Sequence, residues 1–121
     1  MLNHVVLMGR TTAKPEYKTV TRDEKPVECS TFTIAVDRDF DDETDFFKCA
    51  AFGSTAKFLD RHVEKGQQIA VEGRLKNYSW EDEGGDRHTI TEIVAERIYF
   101  AGAKKQQAPE NGQQEKNYLD E

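Results

Sequence analysis

The chain has 121 residues, which is enough for one domain with a modest core. Charged residues make up 33% and hydrophobic ones 36%, so the body is not compositionally disordered, and no apolar run is long enough to span a bilayer. The formal net charge of −6 excludes a generic basic nucleic-acid binder; a polyanion site would need a local positive surface, with the acids gathered elsewhere.

Residues 2–9 read as a strand that closes on Gly9. Pro15 opens an extended piece, Glu16 to Val20, and the polar run Thr21 to Pro26 reads as a turn. Val27 to Val36 is the clearest strand, with Phe32, Ile34 and Val36 alternating with Thr31, Thr33 and Ala35. Residues 37–45 then hold six acids (Asp37, Asp39, Asp41, Asp42, Glu43 and Asp45) against one Arg38, and 37–44 is assigned to a loop. Asp45 to Phe52 is the next strand, ended by Gly53.

One helix follows. Ser54 or Thr55 supplies the N-cap, Ala56, Leu59 and Val63 fall at helical spacing, and Gly66 suits the position just past the C-cap. Gln67 to Leu75 returns to strand, with Ile69, Val71 and Leu75 on one face. Glu81 to Asp86, containing Gly84-Gly85, is a hairpin loop, and Arg87 to Phe100 is a long closing strand. Residues 101–121 have little to bury and predict a disordered tail. The expected organisation is one domain over 1–102 and a flexible tail over 103–121. Five strands with a helix between the third and fourth is the order of an all-β oligonucleotide-binding barrel.

The most informative pattern is a set of rings and cations at alternating positions. Strand side chains alternate faces, so Phe46, Lys48 and Phe52 share one face of one strand, and Arg74, Lys76, Tyr78 and Trp80 share one face of another. Outward rings mixed with cations suit a partner that is flat, apolar and anionic, which is single-stranded nucleic acid. Phe32 and Phe58 are assigned to the core, and Phe47, opposite Phe46, to the inner face.

Other chemistry is weakly supported. Asp37-x-Asp39-x-Asp41 starts like a calcium loop, but that pattern needs Gly sixth and Glu twelfth, where this chain has Asp42 and Lys48. His4, His62 and His88 are scattered without ligand spacing, no nucleophile–base pair is visible, and no cofactor motif occurs. Cys29 and Cys49 lie in strand-like runs and read as buried thiols of a reducing compartment. With no basic leader followed by an apolar run, a cytoplasmic location is expected.

The chain resembles the bacterial and phage single-stranded DNA-binding proteins. The resemblance is carried by Met1 to Arg10 with Pro15-Glu16, by Thr31 to Val36, and by Thr44 to Gly53. Lys65-Gly66-Gln67, Val71 to Leu75 and Thr91 to Ala95 complete it, so it covers roughly residues 1–100. It implies a non-enzymatic module that coats single-stranded DNA with little sequence preference in replication, recombination or repair. By motif position it implies stacking on Phe40, Phe46, Phe52 and Trp80, with Tyr78 as a further ring where the family often has a basic residue. Lys48, Arg74 and Lys76 become candidate phosphate contacts, followed by Arg10, Lys57 and Lys65. It also implies a homotetramer built through the strand Leu2 to Met8. Many members end in an acidic tail closing Asp-Ile-Pro-Phe that recruits replication and repair enzymes. This chain ends Tyr118-Leu119-Asp120-Glu121, which leaves that partner role open. Two alternatives stand beside this reading: an RNA-binding barrel, and an accessory replication protein acting through protein contacts.

Overall fold

The computed structural model describes residues 1–102; the tail assigned to 103–121 lies outside the described residues. The order of elements is β1 (Val5–Thr11), β2 (Glu16–Arg22), β3 (Lys25–Asp37), β4 (Thr44–Phe52), α1 (Ser54–His62), β5 (Gln68–Glu81) and β6 (Arg87–Phe100). The sheet runs β1-β5-β6-β4-β3-β2 and closes through a β1–β3 pairing, so it is a barrel. This is the oligonucleotide-binding architecture expected, with its helix between the strands read from sequence as third and fourth.

Several details differ from expectation. The extended piece after Pro15 is a full strand, β2, paired with β3 from Glu16–Thr31 to Arg22–Lys25, which raises the count to six. Its turn is only Asp23-Glu24, both with positive φ (53° and 65°), a geometry that matches the right-handed twist of the flanking strands. The first strand begins at Val5 rather than Leu2. The helix is entered through Gly53 (φ 67°, ψ −133°) without any side-chain cap, so neither Ser54 nor Thr55 plays that part. A side chain rarely adopts that backbone conformation, and the chain needs it to leave β4 and pass under the barrel.

The helix also ends earlier than Gly66 implied. Its C-cap is Val63, and the Lys14 ammonium donates to the carbonyls of Asp60 (2.8 Å) and Val63 (3.4 Å) at that end. Gly66 (φ 78°) instead turns the chain towards β5, with its N–H donating to the Thr11 carbonyl (2.9 Å). Thr11 strengthens this junction by donating its hydroxyl to the Glu64 carbonyl (2.6 Å) and accepting the Gln67 N–H (3.2 Å).

Ile34, Leu59, Val63, Ile69 and Val71 are fully buried and, with Phe32, Cys49, Ala51, Ile93 and Ala95, form the core. Each large aliphatic side chain contributes about 1.5–3 kcal/mol by leaving water. Phe47 packs against this core from its rim, as does Phe58, which contacts the Phe100 ring (5.6 Å between centroids). Both cysteines are free and buried, with no disulfide. Burial pushes the Cys49 thiol up to about 12.

Leu75 breaks the expected apolar face, being 44% exposed. It keeps the inward parity of Ile69 and Val71, but at Leu75 the β5–β6 ladder leaves the barrel and continues as a free two-stranded hairpin to Glu81–Arg87. One irregularity makes this exit possible. Glu72 pairs with Arg97 and Gly73 with Ala95, which leaves Glu96 as the extra residue of a bulge on β6. The bulge resets the parity of β6, so Ile98 and Ala95 both face the core. A Cβ on Gly73 would run into the Val94 backbone, so the close approach there needs glycine.

Candidate nucleic-acid interface

The outer face of β4 is built by strict alternation. Phe47, Cys49 and Ala51 point into the barrel, which sends Phe46, Lys48 and Phe52 outward. Phe46 is 63% exposed. The ladder sets Ala35 opposite Phe46, and Ala35 is also the partner of Arg10 on β1. Arg10, Ala35 and Phe46 therefore form one transverse row with a small residue in the middle. The next row pairs Thr33 with Lys48. Beside these rows a groove of about 360 Å³ is lined by Thr31, Thr33, Lys48, Lys14 and Glu92.

Phe52 is on the same face but is half-buried, and the Arg22 guanidinium lies 4.8 Å from its ring centroid. Arg22 belongs to the β2–β3 hairpin, which the sequence does not mark as part of any site.

The β5–β6 hairpin carries the second group. The pairs Lys76–Glu92, Tyr78–Ile90 and Trp80–His88 alternate with Asn77–Thr91 and Ser79–Thr89, so they project from one face of the ribbon. The Lys76 ammonium lies 5.1 Å from the Tyr78 ring centroid. Trp80 is 47% exposed, and the His88 ring stacks on it with centroids 5.4 Å apart and planes 26° apart. The other face is polar: Ser79 and Thr89 hydroxyls share a hydrogen bond (3.0 Å), and Thr91 donates to Asn77 Oδ1 (2.7 Å). Stackable rings are thus confined to one side of the hairpin.

Several acids near these rings are already engaged. Arg38 binds Asp45 through two nitrogens (2.9 and 3.0 Å) and lies 3.5 Å from Asp41. Hydrogen bonding to Arg38 holds the Asp45 carboxyl below the usual carboxylate range. Asp37 accepts from the Thr44 hydroxyl (2.9 Å). At the hairpin tip Asp82 Oδ1 accepts the N–H groups of Gly84 and Asp86 (2.9 Å each), while Oδ2 meets His88 Nε2 at 2.8 Å. The His88 bond, then the backbone N–H bonds, lower the Asp82 pKa.

The cations divide into two sets. Arg74 is tied to Glu96 (3.0 Å), and Lys57, on the helix, pairs with Glu28 (3.9 Å). Among the described residues Arg10, Lys48, Lys65 and Lys76 form no ion pair. Lys65 lies in the turn that Gly66 and Gln67 pin to Thr11. Phe40 stands at the tip of the acidic loop, 96% exposed.

Two elements of this surface escape the sequence reading. Arg22 is found only through the register of β2, which puts it on the same face as Lys18, Cys29 and Phe52. His88 has a local signal: Trp80 and His88 are equidistant from Gly84, so an antiparallel hairpin centred there makes them partners.

The single-strand binding protein family matches residues 2–101. The chain belongs to that family. Single-stranded DNA-binding protein 1 of Staphylococcus aureus (strain COL) is 37% identical over 122 residues, covering 97% of this chain and 71% of that one. The single-stranded DNA-binding protein of Clostridium perfringens (strain 13 / Type A) is 39% identical over 100 residues, covering 82% of this chain and 65% of its own. Among solved structures, a Plasmodium falciparum SSB complex with ssDNA superposes with a TM-score of 0.73 at 21% identity, covering 84% of this chain and 96% of that chain. That likeness concerns the fold, and the family membership rests on sequence.

Proposed function

We propose that this chain binds and protects single-stranded DNA, without strong sequence preference, during replication, recombination or repair. It works by binding and not by catalysis, as befits its family. The observation that carries the reading is the Arg10–Ala35–Phe46 row. An exposed ring and a cation flank a small residue on one face of the sheet, with Lys48 in the next row. Rings stack on bases of any identity, and unpaired cations meet the backbone.

Phe46 and Trp80 are the principal stacking rings in this reading, with Phe52, Tyr78 and Phe40 as additional ones. Lys48, Lys76 and Arg10 contact phosphates directly. Arg74 and Lys57 contribute after exchanging Glu96 and Glu28 for phosphate, and Lys65 acts from further away. Neutralising phosphates releases counterions, so affinity falls with salt.

The same reading includes self-association. Val5 to Gly9 pairs with β5 along one edge, whereas the β1–β3 pairing covers only Arg10 and Thr11. The opposite edge of Val5–Gly9 is open to a second copy, and Val6 and Met8 are exposed beside it. A homotetramer formed through β1 would link several weak sites into one avid surface. Docking of replication or repair proteins would fall to the tail, and action within the cytoplasm belongs to the same reading; among the described residues no helix is long and apolar enough to cross a membrane.

Fluorescence anisotropy with matched dT and rU oligomers tests the reading. Tight binding of dT with a marked salt dependence supports it; preference for rU would make this an RNA-binding barrel, and binding of neither an accessory protein.

A further inference from the structure

The sole tryptophan of the chain has one face already covered. His88 sits across the ladder from Trp80 and lies nearly parallel to it, 5.4 Å away. His88 is itself fixed from the other side, because Nε2 bonds to Asp82 Oδ2 at 2.8 Å. Asp82 in turn is held by the N–H groups of Gly84 and Asp86. The tip of the hairpin is therefore a chain of contacts running from loop backbone to carboxylate to imidazole to indole. With Trp80 47% exposed, the open side of the ring is the one turned away from His88.

We propose that His88 is a positioning residue for Trp80: anchored by Asp82, it backs one indole face, presents the other to a base, and makes the grip on single-stranded DNA tighten on acidification. The proposal rests on the single-stranded DNA reading above. Its physical content is simple. An imidazole orders the ring at either protonation state, since the Nε2–H can donate to Asp82 in both. The imidazolium adds a cation against the indole face and one more positive charge beside the DNA backbone.

The groups that surround His88 favour this response. From the loop, Asp82 is bonded to it; from β5, Trp80 faces it, with Tyr78 and Lys76 further along the same face; from β6, Ile90 and Glu92 follow on that face. Glu81 and Arg87 form the adjacent pair on the opposite face, and Glu83 and Asp86 complete the tip. The carboxylates there outnumber Lys76 and Arg87.

The test uses the full chain and its own tryptophan, excited at the red edge where tyrosines are silent. In the free protein, Trp80 emission should be quenched as the pH is lowered from 8 to 5. His88→Phe should abolish that transition. Asp82→Asn, which keeps the loop acceptor but not the charge, should move it to lower pH. A dT oligomer should bind the parent about threefold to fivefold tighter at pH 6 than at pH 8 in low salt, the scale of one added phosphate contact. His88→Ala should weaken binding at both pH values. His88→Phe should recover affinity relative to His88→Ala at pH 8 without recovering the rise at pH 6. Emission that is flat with pH in a parent that binds dT overturns the proposal alone. A parent whose emission titrates but which binds no oligomer at either pH overturns the DNA reading, and the proposal with it.

Discussion

Arg22 lays its guanidinium 4.8 Å from the centre of the Phe52 ring, and so covers a surface that the strand pattern alone leaves open. Phe52 also pairs across the ladder with buried Cys29. The two observations give Phe52 a share in packing as well as in recognition. A cation stacked on a ring is worth about 0.5–1 kcal/mol when exposed. A base that stacks on the covered side of Phe52 must displace Arg22, which then stands free to meet phosphate.

Phe46 and Phe52 should consequently separate in a mutational test. Phe46→Ala removes an exposed ring and should leave stability within about 0.5 kcal/mol of the parent. It should weaken dT binding by about 1–3 kcal/mol if one base stacks there. Phe52→Ala should weaken binding and also lower the urea midpoint, by roughly 1–2 kcal/mol of stability lost with its half-buried ring. Urea unfolding followed by circular dichroism, beside anisotropy, distinguishes the two.

The salt dependence should sort the cations. Lys48→Ala and Lys76→Ala should each reduce the slope of log K against log salt by about 0.7, the single-strand value for one phosphate. Arg74→Ala should reduce it less, because the Glu96 partner is removed from its ion pair at the same time. Equal slopes for all three variants would contradict this division.

Arg38 should matter without touching DNA. It neutralises Asp45 and Asp41 beside the β4 surface. Arg38→Ala should weaken dT binding several-fold at low salt, and the difference should vanish at high salt, where the Debye length falls to about 3 Å. The pair has a definite pH sign. The folded pKa of Asp45 is depressed, so its contribution to holding the loop is present above the ordinary carboxylate pKa and is lost as pH falls through the folded value. Amide protection in residues 38–43, taken relative to the intrinsic exchange rate at each pH, should therefore fall at acid pH.

Gly73→Ala should be among the most destabilising single changes. The added Cβ would meet the Val94 backbone where the bulge at Glu96 closes the barrel. A loss of about 1–3 kcal/mol is expected from overpacking of this kind, read from the urea midpoint. Gly84→Ala, with only the Asp82 side chain nearby, is the control.

The strand pattern made much of this legible. Period-two alternation is a property of the backbone, so Phe46 and Lys48 outward and Phe47 and Cys49 inward could be read directly. What escaped depends on contacts between elements. The cover over Phe52 follows from the pairing of β2 with β3, and the exposure of Leu75 from the point where β5 and β6 leave the barrel. Neither is written in the local periodicity. The helix start differs for a related reason: Ser54 and Thr55 have the right chemistry for a cap, but Gly53 has the backbone freedom that the turn demands.

The central claim is that the ring-bearing face receives single-stranded DNA, and Trp80 reports on it directly. Titration of the protein with poly(dT) at low salt should quench Trp80 emission in a saturable manner, with recovery on adding salt. Emission unchanged by excess poly(dT) at low salt would contradict the account.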